Sequence, residues 1–222
     1  MSEIKFISEN KINIGTNSKI LLRKFTRLST LISLSLLFLI IFCALFASIL
    51  APTNPYDLKV VSILDSRLSP GDKMLNGTVA WLGTDGAGRD VLSAIIFGLR
   101  TSLVVAISSA VIALIAGLFV GLIAGFYGGK IDAFLMRIVD IQLSFPAILV
   151  ALVLLALLGK GIDKVIIALA IVQWAIYART VRAAAIVERN KEYIQAASCL
   201  GLSNSLIIWK HLLPNSISPL IV

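Results

Sequence analysis

Three stretches of this chain, residues 28–56, 101–129 and 141–159, contain no Asp, Glu, Lys or Arg. An α-helix rises about 1.5 Å per residue, so crossing a hydrocarbon layer about 30 Å thick takes about 20 mainly apolar residues. Each stretch reaches or approaches that length. A fourth run, residues 165–178, is shorter but continues through Thr180 and Val181 towards Ala185. A fifth starts at Leu212 and is still apolar at Val222. Backbone groups in lipid must pair within their own segment, which favours helices. Composition agrees: 58% of the 222 residues are apolar and 14% charged, against about 25% charged in an ordinary soluble domain. The expected architecture is an all-α, polytopic membrane helical bundle with four full spans and the start of a fifth. The last 11 residues are too few to cross a membrane. The expectation is that they lie against a partner or open a longer helix, with truncation favoured.

The first apolar run follows 27 residues and lacks a small-x-small cleavage site, so it reads as a retained anchor rather than a leader. Cys43 lies inside that run and Cys199 far from it, which predicts neither a disulfide nor a metal site. The formal net charge of +8 is explained by membrane orientation, without nucleic acid. The tail of residues 1–27 carries six Lys and Arg and two Glu, which places the N-terminus in the cytoplasm. With four crossings, 13 of the 20 basic residues fall inside and seven outside. Residues 188–214 then face the cytoplasm.

Along the chain, residues 51–80 form an external, turn-rich segment. A glycine-rich turn over residues 81–90 leads into a helix over 91–100, capped by Asp90 and lying on the outer surface. Ala113, Gly117, Gly121 and Gly125 follow at intervals of four, with Gly129 extending the row. Small residues so spaced line one face and let a neighbouring backbone approach closely. That neighbour is either a helix of the same chain or a second subunit or translocation path. Residues 127–140 are expected to be an internal loop, and Phe145-Pro146 to open the third span. Gln173, near the middle of the fourth span, needs a partner in lipid or lines the path. Arg179 and Arg182 fit anchoring at the inner membrane face, with contact to a cytoplasmic partner as the alternative.

Residues 188–214 read as a helix, a glycine corner and a second helix. Gly201 suits a left-handed helix end, Ser203 or Asn204 a cap, and Pro214 a stop before the next span. Ala196 and Ala197 leave a smooth surface, while Leu206 and Trp209 offer bulk for a partner's pocket. Physics alone leaves open whether such a hairpin docks on a partner or lies on lipid. No phosphate-cradling G-x-x-x-x-G-K-[ST] pattern is present. The single His211 and scattered carboxylates suggest neither a triad nor a metal cluster. Asp85 and Asp90 fit turn and cap roles. No enzyme activity is expected.

The triad Gln195-Ala196-Ala197, then Gly201, Leu213 and Pro214, resembles the EAA motif of permease subunits in ATP-binding-cassette importers. Gln195 stands where many members have Glu, and His211 where many have Ile. Trp81 through Asp90, Gly98-Leu99-Arg100-Thr101-Ser102, Tyr127-Gly128-Gly129 and Phe145-Pro146 are similar to the C-type subunits of dipeptide and oligopeptide importers. The resemblance implies a type I importer transmembrane domain, with residues 1–80 as tail, first span and external loop and 81–222 as an incomplete permease core. It implies multi-pass placement in the cell (inner) membrane and coupling of Glu192, Gln195, Ala196, Ala197, Gly201, Leu206, Trp209, Leu213 and Pro214 to an ATPase. The implied partners are a second permease subunit, two cytoplasmic ATP-binding subunits that hold the ATP, and an extracellular or periplasmic substrate-binding protein. This chain would hold no cofactor. A secondary transporter is disfavoured because the first three spans lack ionisable residues. A membrane scaffold, an inactive fragment, and an importer of nickel or glutathione stay open.

Overall fold

The computed structural model describes residues 28–57 and 59–217; the charged tail of residues 1–27 and the last residues of the fifth apolar run lie outside them. Among the described residues the regular structure is helical, with two isolated antiparallel bridges, Lys73 with Val79 and Thr84 with Asp90. The chain is an all-α, multi-pass membrane protein. It divides into two compact units, residues 1–103 and 104–222.

In the first unit, α1 (Leu28–Leu45) and the short α2 (Ala47–Leu50) form the first apolar helix and its end. Residues 51–90 are a folded lobe rather than a string of turns. Thr84 Oγ1 donates to the Asp65 carbonyl and accepts from the Leu68 amide at 2.8 Å. The Asp65 carboxylate accepts from the Leu75 amide at 2.9 Å. At Gly88 (φ +78°) a Cβ would stand 1.8 Å from the Ser62 carbonyl oxygen, so only glycine lets these backbones cross. Asp90 caps the following helix as expected, accepting from the Ser93 amide at 2.9 Å and from its hydroxyl at 2.5 Å.

That helix, α3 (Val91–Tyr127), is 37 residues of unbroken helix, about 55 Å long. The separate surface helix expected over residues 91–100 is therefore corrected: it is the first part of α3, because Gly98 alone lacks the steric power to stop a helix. In the second unit, α4 (Gly129–Ser144) replaces the loop expected over residues 127–140. Gly128 and Gly129, at φ +65° and +54°, turn the chain sharply into it. Next come α5 (Ala147–Leu158), α6 (Ile162–Arg189), α7 (Glu192–Cys199) and a last helical run. That run comprises α8 (Asn204–Leu206), a π-helical turn Ile207–Leu212 and α9 (Leu213–Ser216).

Helices α1, α3 and α6 are each long and apolar enough to cross a membrane. The third span expected to open at Phe145-Pro146 is corrected: α5 has only 12 residues, and it reaches spanning length only together with α4, from which it bends by 89° as a broken span or a re-entrant loop. Proline disfavours helical geometry in the residue before it, and Phe145 is extended (φ −96°, ψ 142°).

Candidate coupling site

The glycine row decides how α3 and α6 meet. A Cβ at Gly117 would come 2.5 Å from the Tyr177 Cβ, at Gly121 2.6 Å from the Ala178 carbonyl oxygen, and at Gly125 2.6 Å from the Ala185 Cβ. Ala113 is fully buried. The partner of the row is thus α6 of the same chain, at backbone contact. Gly129 is not in the row, having nothing within 4 Å of its Cβ position. Helix α4 crosses the same α6, burying Val139 against Ala175 and Ala178. Arg182 forms two contacts to the Asp132 carboxylate, one of them 2.6 Å, and Arg179 meets Asp140 at 2.5 Å. Both arginines are therefore engaged with α4, not merely anchoring. Gln173 is half-buried, and its side chain has no hydrogen-bond partner among the described residues.

The expected hairpin is built on that scaffold. Helix α7 ends as its glycine predicts: Gly201 adopts φ +75°, its amide donates to the Ser198 carbonyl at 3.1 Å, and the Leu202 amide reaches back to Ala197 at 3.3 Å. These paired bonds satisfy carbonyls that a helix end leaves bare. Ser203 then caps the last run, its hydroxyl accepting from the Leu206 amide at 3.4 Å. Ile194, Ala197, Ile207, Ile208 and Leu212 bury against Leu122 and Phe126 of α3 and Val181 and Ala185 of α6, with Leu213 packed beside them. One side of the hairpin is a hydrophobic anchor on the membrane helices.

The other side is open. Glu192, Gln195, Ala196, Gly201 and Pro214 are exposed, as are Leu206 and Trp209, at 41% and 49%. The Gln195 amide donates to the Asn190 carbonyl at 3.2 Å. Trp209 is not free, since its ring meets Phe119 edge-on at 5.3 Å. Leu200 is 81% exposed at the tip beside Gly201. Sequence reasoning passed it over, although an isolated leucine before a corner glycine is a visible signal. A cleft of about 680 Å³ opens between α3's end and α7, lined by Phe126, Arg189, Gln195 and Cys199 among others.

A polar network also went unread. Glu188, 6% exposed, accepts from the Tyr193 hydroxyl and pairs with Lys191 at 2.7 Å. Asn215 donates to the same hydroxyl at 3.0 Å and to the His211 carbonyl at 2.8 Å. Burial first, and then the Glu188 carboxylate, push the Tyr193 phenol up to about 12. Pro214 sits in the first turn of α9, as expected, but does not stop the helical run before it. Its ring would collide with the carbonyl four residues back, and the preceding turn widens: the Leu213 amide reaches the Ile208 carbonyl, five residues away.

Residues 117–222 match the family described as binding-protein-dependent transport system inner membrane component. The chain is 45% identical over 185 residues to the dipeptide transport system permease protein DppC of Escherichia coli (strain K12), covering 83% of this chain and 60% of that protein. It is 40% identical over 185 residues to the di/tripeptide transport system permease protein DppC of Pseudomonas aeruginosa (strain UCBPP-PA14), with the same coverage of 83% and 60%. To the glutathione transport system permease protein GsiD of Salmonella typhimurium it is 39% identical over 183 residues, 82% of this chain and 58% of that protein. The matched region is thus about three-fifths of the length of these relatives. From Gly117 of α3 through the hairpin, the chain is thus similar to the inner membrane components of binding-protein-dependent transport systems.

Proposed function

We propose that this chain is a permease subunit of an ATP-driven importer that moves short peptides across the cell membrane by alternating access. The ATP chemistry takes place on two cytoplasmic partner subunits, a second permease completes the path, and an external binding protein delivers cargo. The N-terminus is cytoplasmic. Residues 188–214 are the docking element, with Leu200, Gln195, Ala196 and Leu206 facing the ATPase and Ile194, Ala197, Ile207 and Leu212 holding the membrane helices. Ala197 and Leu213 act by anchoring the hairpin, since they pack inward. The assignment of short peptides draws on the names of the relatives, which include dipeptides, tripeptides and glutathione.

The observation that carries this reading is the two-sided hairpin. Its inner side is continuous with α3 and α6, so a push on the exposed side is transmitted to spanning helices instead of being absorbed by a loose loop. The test is Gly201→Asp. A side chain at φ +75° strains the corner, while the open space around it spares the fold. Membrane insertion is expected to persist, with stability lower by about 1–2 kcal/mol, while ATP-driven dipeptide uptake falls about 5–30-fold. Uptake at the wild-type rate would overturn the docking role.

A further inference from the structure

Helix α4 buries Val139, with Met136 and Leu143 beside it, against its neighbours. Its remaining surface divides by helical spacing into two stripes. One carries Phe134, Ile138, Ile141 and Phe145, all exposed and suited to lipid. The other carries Arg137, Asp140 and Ser144, equally exposed and unsuited to it, because charge facing hydrocarbon is costly. Asp140 is paired with Arg179, yet the two side chains remain 59% and 55% exposed. Pairing alone has not taken them out of contact with their surroundings.

The polar stripe runs up to the break in the span. There Pro146 has no amide hydrogen to give the Gln142 carbonyl, and the 89° bend separates α5 from the end of α4. No described backbone amide donates across the break to the carbonyls of Leu143 and Ser144. Depth is given by Gln142, whose side-chain amide donates to the Ile171 carbonyl at 3.3 Å. Ile171 is central in the charge-free run 165–178 of α6. Irregular backbone at such a depth is tolerated where protein covers it or where it lines a water-filled cavity. The charged and hydroxylic stripe leading to it selects water. The C-terminal end of a helix is also its negative pole, which favours cations and N–H donors.

We propose that the Arg137, Asp140 and Ser144 face of α4, with the bared carbonyl end of that helix, lines an aqueous passage and receives the ammonium and amide N–H groups of a passing peptide. The cargo rests on the functional reading above; the aqueous face does not. The test uses the full chain in its membrane, with Cys43→Ser and Cys199→Ser, and adds Ser144→Cys or Ile141→Cys singly. Membrane-impermeant methanethiosulfonates, one cationic and one anionic, are the probes. Ser144→Cys is expected to react with both, the cationic reagent at least about fivefold faster, and to be protected by a dipeptide mixture. Ile141→Cys is expected to stay unmodified. A Ser144→Cys thiol that reacts only after denaturation would mean that lipid or a partner subunit covers this face, and would overturn the proposal. Equal rates for the two reagents would overturn the role of the helix end. Labelling without protection would remove the peptide while leaving the aqueous face standing, whatever the result of the uptake assay.

Discussion

The contact between α3 and α6 makes a quantitative demand at Gly121. A Cβ built there lies 2.6 Å from the Ala178 carbonyl oxygen, 2.7 Å from the Val181 Cβ and 3.0 Å from the Arg182 amide nitrogen. Non-bonded carbons rest at about 3.5–4.0 Å, so Gly121→Ala forces the helices about 1 Å apart. Gly117 and Gly125 hold the same pair at clearances of 2.5 and 2.6 Å, one turn on either side, which leaves little room for a local tilt. Overpacking of this kind costs about 1–3 kcal/mol, and alanine's helix preference offsets about 1 kcal/mol of it. The expected net loss is up to about 2 kcal/mol, or up to about a 30-fold fall in the folded-to-unfolded ratio, and about 1–3 kcal/mol against an alanine that meets no neighbour. Gly98→Ala is the matched control: nothing lies within 4 Å of its Cβ position, so only the helix preference acts and stability holds or rises. Reversible unfolding of the chain in mixed detergent micelles, followed by tryptophan fluorescence, measures both. Gly121→Ala as stable as Gly98→Ala would refute the backbone contact and leave the glycine row without a structural purpose.

Two further outcomes follow from the polar contacts. The Tyr193 phenol is raised above the ordinary tyrosine value of 10.0 to about 12; its contribution to stability is therefore intact below pH 10 and lost as pH rises towards 12. The difference in 295 nm absorbance between wild type and Tyr193→Phe should titrate near pH 12, and a midpoint near 10 would mean that Glu188 does not hold the hydroxyl. The Asp132–Arg182 pair should show a coupling of about 1–2 kcal/mol in a cycle of Asp132→Asn, Arg182→Gln and the double variant; additive losses would show the two side chains to be independent.

The spans α1 and α3 were legible because each is announced by a run of apolar residues longer than any soluble core requires, and α6 because its shorter run of residues 165–178 continues towards Ala185. So was the corner, where Gly201 supplies the left-handed residue that the helix end needs and Ser203 the cap that restarts it. Partner identity was harder to read. Ala113, Gly117, Gly121 and Gly125 say that some backbone comes close, and nothing in a periodicity of four says whose; the small faces of Ala178 and Ala185 on α6 decide it. Helix α4 was hidden by its charges. Lys130, Asp132, Arg137 and Asp140 make residues 127–140 look like a loop, whereas two of the four are neutralised by arginines some 40–50 positions away. Those pairings are tertiary facts with no local signature.

Proline is the sharpest case, because one residue type in two places led to opposite results. At Pro146 the preceding phenylalanine gives up helical geometry and the span bends; at Pro214 the chain keeps its helical dihedrals, with Leu213 at φ −54° and ψ −53°. The ring makes the same demand in both, room for the carbonyl four residues back and an acceptor left without its amide. Before Pro214, a π-helical turn supplies the room, and Ile207, Ile208 and Leu212 hold that turn against the core. Asn215 next to it donates its side-chain amide to His211. Before Pro146 the turn is held less fully, with Leu143 packed against the α6 contact but Ile141 and Phe145 exposed, and the helix breaks. A proline in a membrane segment thus marks a place where helical bonding must be replaced, and the packing of the preceding turn determines whether a wider turn or a break replaces it.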